Sequence, residues 1–173
     1  MNLQNKLENT NFILKQLTSF DFNLLYTIGR KKKIWAQHPE DDRWKKEKFK
    51  FFFDNGLKNE FGLYGIFDKS NNNIIGSTRF YSYERIEKAI RIGFTFFIPE
   101  YWGTNANAEI KFIMLDYIFN YIDKVYFDIG KNNIRSRKAI EKIGASLFLD
   151  SEKGNVVYIL NKKKFYIDFR VIT

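Results

Sequence analysis

Apolar residues along the chain switch between strand-like and helix-like spacing, and polar turns separate the segments. The stretch NFILKQL (Asn11–Leu17) predicts a first strand, and SFDFNLLYTIGR then predicts a helix that stops near Gly29. A second helix is predicted from about Asp42 to Leu57, after a basic and aromatic loop. The chain therefore begins with the order strand, helix, helix.

Three strands are predicted next, in FGLYGIFD, NNIIGSTRFYSY and AIRIGFTFFI, and the short turns between them indicate an antiparallel meander. A helix from about Ala108 to Ile122 follows, then the strand VYFDI, the helix NNIRSRKAIEKIGA and two strands near SLFLD and NVVYILN. We predict one α/β (α+β) domain over residues 1–173. Its mixed, mostly antiparallel sheet should have about seven strands, with helices on both faces.

Composition narrows the class of protein. A chain of 173 residues with 45% hydrophobic content can bury one sizeable core. The absence of cysteine excludes disulfides, zinc–thiolate sites and a cysteine nucleophile. No signal peptide or long apolar run is present, so we expect a cytoplasmic protein without a membrane partner.

The formal net charge of +9, from 29 basic and 20 acidic residues, could attract nucleic acid or a phosphorylated ligand. The basic residues are scattered, and no basic stripe interleaves with aromatic residues that could stack on bases. This distribution disfavours nucleic acid as a partner. A basic nucleic-acid-binding module therefore stands third among the candidate functions.

Two motifs bear on chemistry. YWGTNANAEIKFIMLDYIF runs from a polar loop into a helix that is apolar in almost every direction, and the amides at such a helix start favour an anion. Simple helix capping explains the same residues. In NNIRSRKAIEKIGA, helical spacing puts Ser136 at the head of an inward stripe with Ala139, Ile140 and Ile143. The same spacing turns Arg135, Lys138 and Lys142 outward.

These motifs, from about Ile75 to Ala145, resemble the GNAT superfamily of acyl-CoA N-acyltransferases. GSTRFYSY, IGFTFFIPEYWGTNANAEIKFIMLDYIF and NNIRSRKAIEKIGA are further similar to the branch that includes the ribosomal-protein N-terminal acetyltransferases. The resemblance implies acetyl-CoA as co-substrate and no metal. It places the family's phosphate-binding loop on Trp102, Gly103, Thr104, Asn105, Ala106 and Asn107.

The fixed positions of that family loop all differ here. Because backbone N–H groups bind the pyrophosphate of coenzyme A, the loop can still bind it. Where the turn requires a positive φ, Asn105 is expected to adopt it at modest cost. The resemblance also implies that the backbone of Thr95, Phe96 and Phe97 pairs with the pantetheine amides. Asn133 would help to hold the pantetheine arm, and Ser136 would protonate the leaving thiolate.

Two family positions are altered. In many members a tyrosine acts as the general acid and a glutamate as the general base. The tyrosine would fall at Ile140 and the glutamate at Arg91, so this chain has neither group at the family position. His38, the only histidine, lies in a loop where the family forms one wall of the acceptor site, and it is a candidate catalytic residue. A surface or structural role for His38 is the simpler alternative. Arg79 is expected to be structural rather than to orient an acidic substrate.

The sequence thus predicts an N-acetyltransferase in which a primary amine attacks acetyl-CoA directly. An acceptor of low pKa, such as a protein N-terminus or a small-molecule α-amine, is favoured because no base is evident. A catalytically silent acyl-CoA-binding or protein-interaction module on the same fold is the alternative. The sequence leaves both a monomer and a homodimer open.

Overall fold

The computed structural model describes residues 3–150 and 154–170, with side chains up to residue 167. The strands are β1 (Lys6–Glu8), β2 (Phe12–Gln16), β3 (Tyr64–Asp68), β4 (Ile74–Glu84), β5 (Ala89–Phe97), β6 (Lys124–Gly130), β7 (Ser146–Asp150) and β8 (Asn155–Asn161). The α-helices are α1 (Phe22–Gly29), α2 (Lys46–Lys58), α3 (Ala106–Ile118), α4 (Ile134–Lys142) and α5 (Lys162–Arg170).

The strands form one mixed sheet in the order β1-β2-β3-β4-β5-β6-β8-β7. Every neighbouring pair is antiparallel except β5 and β6, which are parallel. The predicted meander and mixed sheet are confirmed, with eight strands rather than about seven. The additional strand is β1, whose three residues are too few to show an alternating pattern.

Helices cover both faces of the sheet, as predicted. Consecutive residues of a strand point to opposite faces, so Phe97 packs with α3 and α4 while Phe96 packs with α1 and α2. Leu63 and Tyr64 divide between the two cores in the same way. The domain therefore has two hydrophobic layers that fix the position of β5 from either side.

Several helix limits differ from the prediction. α2 begins at Lys46 rather than Asp42, because the preceding residues form turns in which the N–H of Lys45 donates to the carbonyl of Asp42. α3 begins at Ala106 and ends at Ile118, earlier than predicted at both ends. α5 was not predicted, and its Phe165 packs on Phe119 with ring centroids 5.2 Å apart. No helix within the described residues has both the length and the apolar character needed to cross a membrane.

The sheet opens between its two parallel strands. β5 pairs with β6 only where Ala89–Arg91 lie beside Lys124–Tyr126. Beyond this point β5 continues to Phe97 and β6 to Gly130 without further pairing between them. One side of the β5 backbone therefore faces an opening instead of a neighbouring strand.

Candidate active site

A cavity of about 540 Å³ occupies this opening. Its walls come from β5, β6, the loop before α3, the first turns of α3 and α4, and the loop before α2. Its volume is within the range typical of small-molecule sites. Of the residues predicted to bind coenzyme or act in catalysis, those lining the cavity are His38, Thr95, Phe96, Phe97, Trp102, Gly103, Thr104, Asn107, Asn133 and Ser136.

A β-bulge deforms β5 beside the cavity. Ser77 pairs with Phe96 and Arg79 with Gly93, so Phe94 and Thr95 together lie opposite Thr78. Phe94 has φ of 51°, a conformation that a bulky residue rarely adopts. Such outliers persist where the surrounding structure enforces them, and they cluster at functional sites.

The loop before α3 reaches its turn by means of Gly103, which has φ of 75°. Asn105 has φ of −76° and occupies the N-cap position, so the prediction that it supplies a positive φ is wrong. The reason is local: Thr104 Oγ1 accepts from the Ala106 N–H at 3.2 Å and donates to the Tyr101 carbonyl at 2.8 Å. This turn needs only one left-handed residue, and that residue is the glycine.

The start of α3 faces the cavity through Asn107 and Ala108, whose side chains are half-buried. Amides in a first helical turn have no acceptor within the helix, and the helix dipole adds positive potential there. Asn105 is exposed and Ala106 is buried, and neither lines the cavity. The Asn105 side chain therefore does not fill the space in front of these amides.

The start of α4 faces α3 across the cavity. Asn133 is buried and caps α4, with its Oδ1 accepting from the Ser136 N–H at 3.2 Å. Ser136 is half-buried and lines the cavity, as its place in the inward stripe predicts. Ile140 also lines the wall, one turn further along α4. The cap satisfies one of the backbone N–H groups that have no acceptor within the first turn of α4.

Arg135 does not face outward as predicted. Its guanidinium stacks on the Trp102 ring at 3.8 Å from the centroid and donates to the Ile34 carbonyl at 3.3 Å. Trp102 is itself held by a hydrogen bond from Nε1 to the Phe97 carbonyl at 3.0 Å. Tertiary contact with this indole turns the arginine toward the cavity. Lys138 and Lys142 are exposed, as predicted, and they also line the cavity, where they add positive charge.

His38 lies in the wall contributed by the loop before α2. Burial and the neighbouring Arg43 lower its pKa to about 4, so the imidazole is neutral at pH 7. Its Nδ1 accepts from the Glu40 N–H at 2.9 Å, and its Nε2 lies 3.2 Å from an Arg43 nitrogen. A group with so low a pKa is a weak base, which limits His38 as a proton acceptor.

Arg91 occupies the position at which many family members have a glutamate base. Its guanidinium forms ion pairs with Glu84 at 2.9 Å and with Asp128 at 3.0 Å. Asp128 also accepts a 2.7 Å hydrogen bond from the Tyr81 hydroxyl, and burial raises the pKa of that phenol. Tyr81 and Asp128 line the cavity, although no motif in the sequence singled them out.

Two carboxylates close to the motifs in the sequence, Glu109 and Glu87, and the predicted structural residue Arg79 all have partners within the fold. Glu109 accepts hydrogen bonds from the side-chain amides of Asn9 and Asn11, and Glu87 pairs with Lys124 at 2.7 Å. Arg79 is buried against the Phe94 ring at 3.6 Å, and burial lowers its pKa to about 10. It does not line the cavity, so its contacts agree with a structural role.

Lys111, which also lies in the cavity wall, was not identified from the sequence. Lys111 on α3 is only 3% exposed, lines the cavity and donates from Nζ to Thr95 Oγ1 at 2.7 Å. The signal was present in the sequence, because Lys111 shares helical spacing with the apolar Met114, Leu115 and Ile118.

These parts fit one kind of ligand. The unpaired side of β5 offers backbone donors and acceptors to an extended chain that carries amides. The start of α3 and the basic side chains near it suit phosphate groups. Within the described residues, no three His, Asp or Glu side chains lie close enough together to hold a metal ion. The cavity therefore lies in the opened sheet of an α/β protein and offers groups suited to a long, amide-bearing, anionic ligand.

Comparison with known proteins gives the family. The family model of the acetyltransferase (GNAT) domain matches residues 11–146. The chain belongs to the GNAT acetyltransferase family, as the motifs predicted. No curated protein sequence is significantly similar to it.

Solved structures share the fold at low sequence identity. A GCN5-related N-acetyltransferase from Brucella melitensis is 15% identical with a TM-score of 0.77, over 96% of this chain and 83% of that one. An acetyltransferase (GNAT family) from Bacillus anthracis is 16% identical with a TM-score of 0.75, over 91% and 99%. Spermidine N-acetyltransferase from Vibrio cholerae, solved with CoA and spermine, is 16% identical with a TM-score of 0.66, over 91% and 99%.

Proposed function

We propose that this protein is an N-acetyltransferase that transfers an acetyl group from acetyl-CoA to a primary amine. The observation that supports this most strongly is the unpaired side of β5, which borders the cavity from Ile92 to Phe97. Pantetheine is an extended chain with two amides, and it can pair with such an edge as an added strand does. The backbone of Thr95, Phe96 and Phe97 would make these contacts.

The phosphates of the coenzyme would lie at the start of α3. Gly103, Thr104 and Asn107 line this end of the cavity and would supply backbone N–H groups, and Arg135 would add a positive charge. Trp102 forms the wall on which Arg135 stacks. Asn105 and Ala106 would shape the loop without touching the ligand, because neither residue lines the cavity.

The remaining predicted residues would act at the reacting end. Asn133 would hold the pantetheine arm with the part of its side chain not used in capping α4. An N–H on the bulged segment near Thr95 would stabilise the oxyanion, because a donor fixed before the reaction needs no reorganisation during it. Ser136 would donate a proton to the leaving thiolate. His38 would form the acceptor wall as a neutral group.

The acceptor must attack as a neutral amine. An α-amine with pKa near 8 is roughly one-tenth neutral at pH 7, whereas an ordinary lysine is neutral in about one molecule in several thousand. The cavity residues His38 and Ser136 provide no strong base. We therefore propose a protein N-terminus or a small-molecule α-amine as the acceptor.

Calorimetry with coenzyme A and acetyl-CoA, followed by thiol release with a panel of amines, tests this function. We expect both ligands to bind and at least one α-amine to raise thiol release above background. Ser136→Ala should lower kcat on the order of a hundredfold while binding is retained, because it removes only the hydroxyl. Ser136→Thr is the matched control that keeps it.

The outcomes separate the candidate functions. Binding without turnover for any amine would support the catalytically silent acyl-CoA-binding module instead. Absence of binding to both ligands would reject the enzyme and this alternative together. Equal kcat for Ser136→Ala and the wild type would remove Ser136 from the mechanism.

A further inference from the structure

Lys111 is an isolated cation in the interior of the domain. It is 3% exposed, and in the described part of the chain no carboxylate forms an ion pair with it. Buried lysines normally have a paired charge, because an unpaired ammonium loses its hydration without compensation. The surroundings of this amine therefore favour its neutral form.

Its single described hydrogen bond fixes the amine beside the bulge of β5. Nζ donates to Thr95 Oγ1 at 2.7 Å, and Thr95 Oγ1 is also 2.8 Å from Thr78 Oγ1. Thr95 belongs to the segment proposed above to hold the acyl end of the coenzyme. Since Lys111 and Thr95 line one cavity, the amine and the thioester would share the same enclosed space.

Burial lowers the pKa of Lys111 to about 7. At neutral pH about half of the molecules then carry a free lone pair on Nζ, against about one in several thousand for an ordinary lysine. Charged groups around the cavity come from the loop before α2 (Glu40, Arg43), from β6 (Asp128) and from α4 (Arg135, Lys138, Lys142). Burial is the cause of the shift, and none of these six contributes to it.

We propose that Lys111 is a self-acetylation site, at which Nζ attacks the thioester of bound acetyl-CoA when no acceptor amine is present. The inference rests on the proposed function, because the thioester must lie against β5. It goes beyond that function by identifying an internal nucleophile and a covalent modification of the chain.

The reaction balances without a further reagent. The Nζ lone pair forms a bond to the acetyl carbonyl carbon, and the bond from that carbon to sulfur breaks. Coenzyme A leaves as a thiolate and takes the proton that the nitrogen loses. The products are an acetylated Lys111 side chain and free coenzyme A, in equal amounts.

Mass spectrometry tests the proposal directly. The folded protein is incubated with acetyl-CoA and no amine, and peptides are analysed over time. We expect acetyl groups to accumulate on Lys111 faster than on any other lysine, with an equal amount of thiol released. The rate should rise with pH through about 7 and level off above it, whereas ordinary lysines continue to gain reactivity toward pH 10.

Two controls isolate the site. Unfolding in urea should abolish the preference for Lys111, because it removes both burial and the coenzyme site. Lys111→Arg keeps a positive charge that cannot be deprotonated, so rapid thiol release without acceptor should disappear. Lys48→Arg alters an exposed lysine on α2, away from the cavity, and should leave labelling of Lys111 unchanged.

The outcomes distinguish this inference from the proposed function. If acetyl-CoA binds but Lys111 is labelled no faster than exposed lysines, self-acetylation is refuted and the enzyme proposal stands. If labelling of Lys111 is equally fast in urea, the folded site is not responsible and the inference is again refuted. If acetyl-CoA does not bind at all, both proposals fail.

Discussion

Replacing Lys111 by methionine should change how the stability of the protein depends on pH. Methionine has a similar length and no charge, so the substitution removes the titrating group and keeps most of the packing. The folded-state pKa is about 7 and the ordinary value is 10.5. Between these two values the unfolded chain binds a proton that the folded protein has lost, so stability rises with pH. Below pH 7 both states are protonated, and the full penalty of burying the ammonium remains.

The size of this change in the free energy of unfolding follows from the difference in proton binding between the folded and unfolded states. Between pH 7 and pH 9 the free energy of unfolding of the wild type should gain about 2 kcal/mol from this one group. Lys111→Met should lack that gain. Urea unfolding, followed by circular dichroism at constant ionic strength, measures both proteins at each pH. Lys48→Met, at an exposed position on α2, controls for the loss of one positive charge. Parallel pH dependence in the wild type and Lys111→Met would refute the reasoning.

Three further substitutions test other parts of the site. Asn133→Ala removes the cap of α4 and should lower the free energy of unfolding by about 1 kcal/mol, measured in urea, with Asn133→Asp as the control that can still cap. Arg135→Ala should weaken the binding of coenzyme A on the order of tenfold, and calorimetry should show that the affinity depends less on salt concentration. Unchanged affinity would mean that the phosphates bind elsewhere. Gly76→Ala would put a Cβ 2.0 Å from the Phe96 carbonyl oxygen, so thermal unfolding should show marked destabilisation. The control is Gly103→Ala, whose Cβ meets no atom within 4 Å. It should be destabilised only by the cost of a positive φ in a residue other than glycine.

The strength of local patterns explains which features were predictable. α4 was identified because its apolar residues keep helical spacing, and α3 because a long, largely apolar segment follows a polar loop. The meander was identified because short polar turns separate the strands. Ser136 lines the cavity as its place in the helical pattern indicated, and Asn133 lines it as the resemblance to the family implied. β1 was missed because three residues carry no period. The start of α2 was misplaced because a turn and a helix accept the same polar residues.

The orientation of individual side chains was less predictable. Helical spacing alone turned Arg135 outward, and only the Trp102 ring, brought in by the loop before α3, reverses this. Asn105 was assigned a positive φ that Gly103 takes instead, because Thr104 bonds the turn on either side. In both cases the deciding contact comes from outside the pattern on which the prediction was based.

The sequence by itself indicated the family, the order of all elements except β1 and α5, and the motif residues around the cavity. Only the tertiary structure decided where β5 and β6 separate, because strand pairing beyond Arg91 depends on packing across the whole sheet rather than on local pattern. It also decided the chemistry of Lys111. The same lysine on an exposed helix face would remain charged, whereas enclosure beside Thr95 removes its hydration and lowers its pKa to about 7.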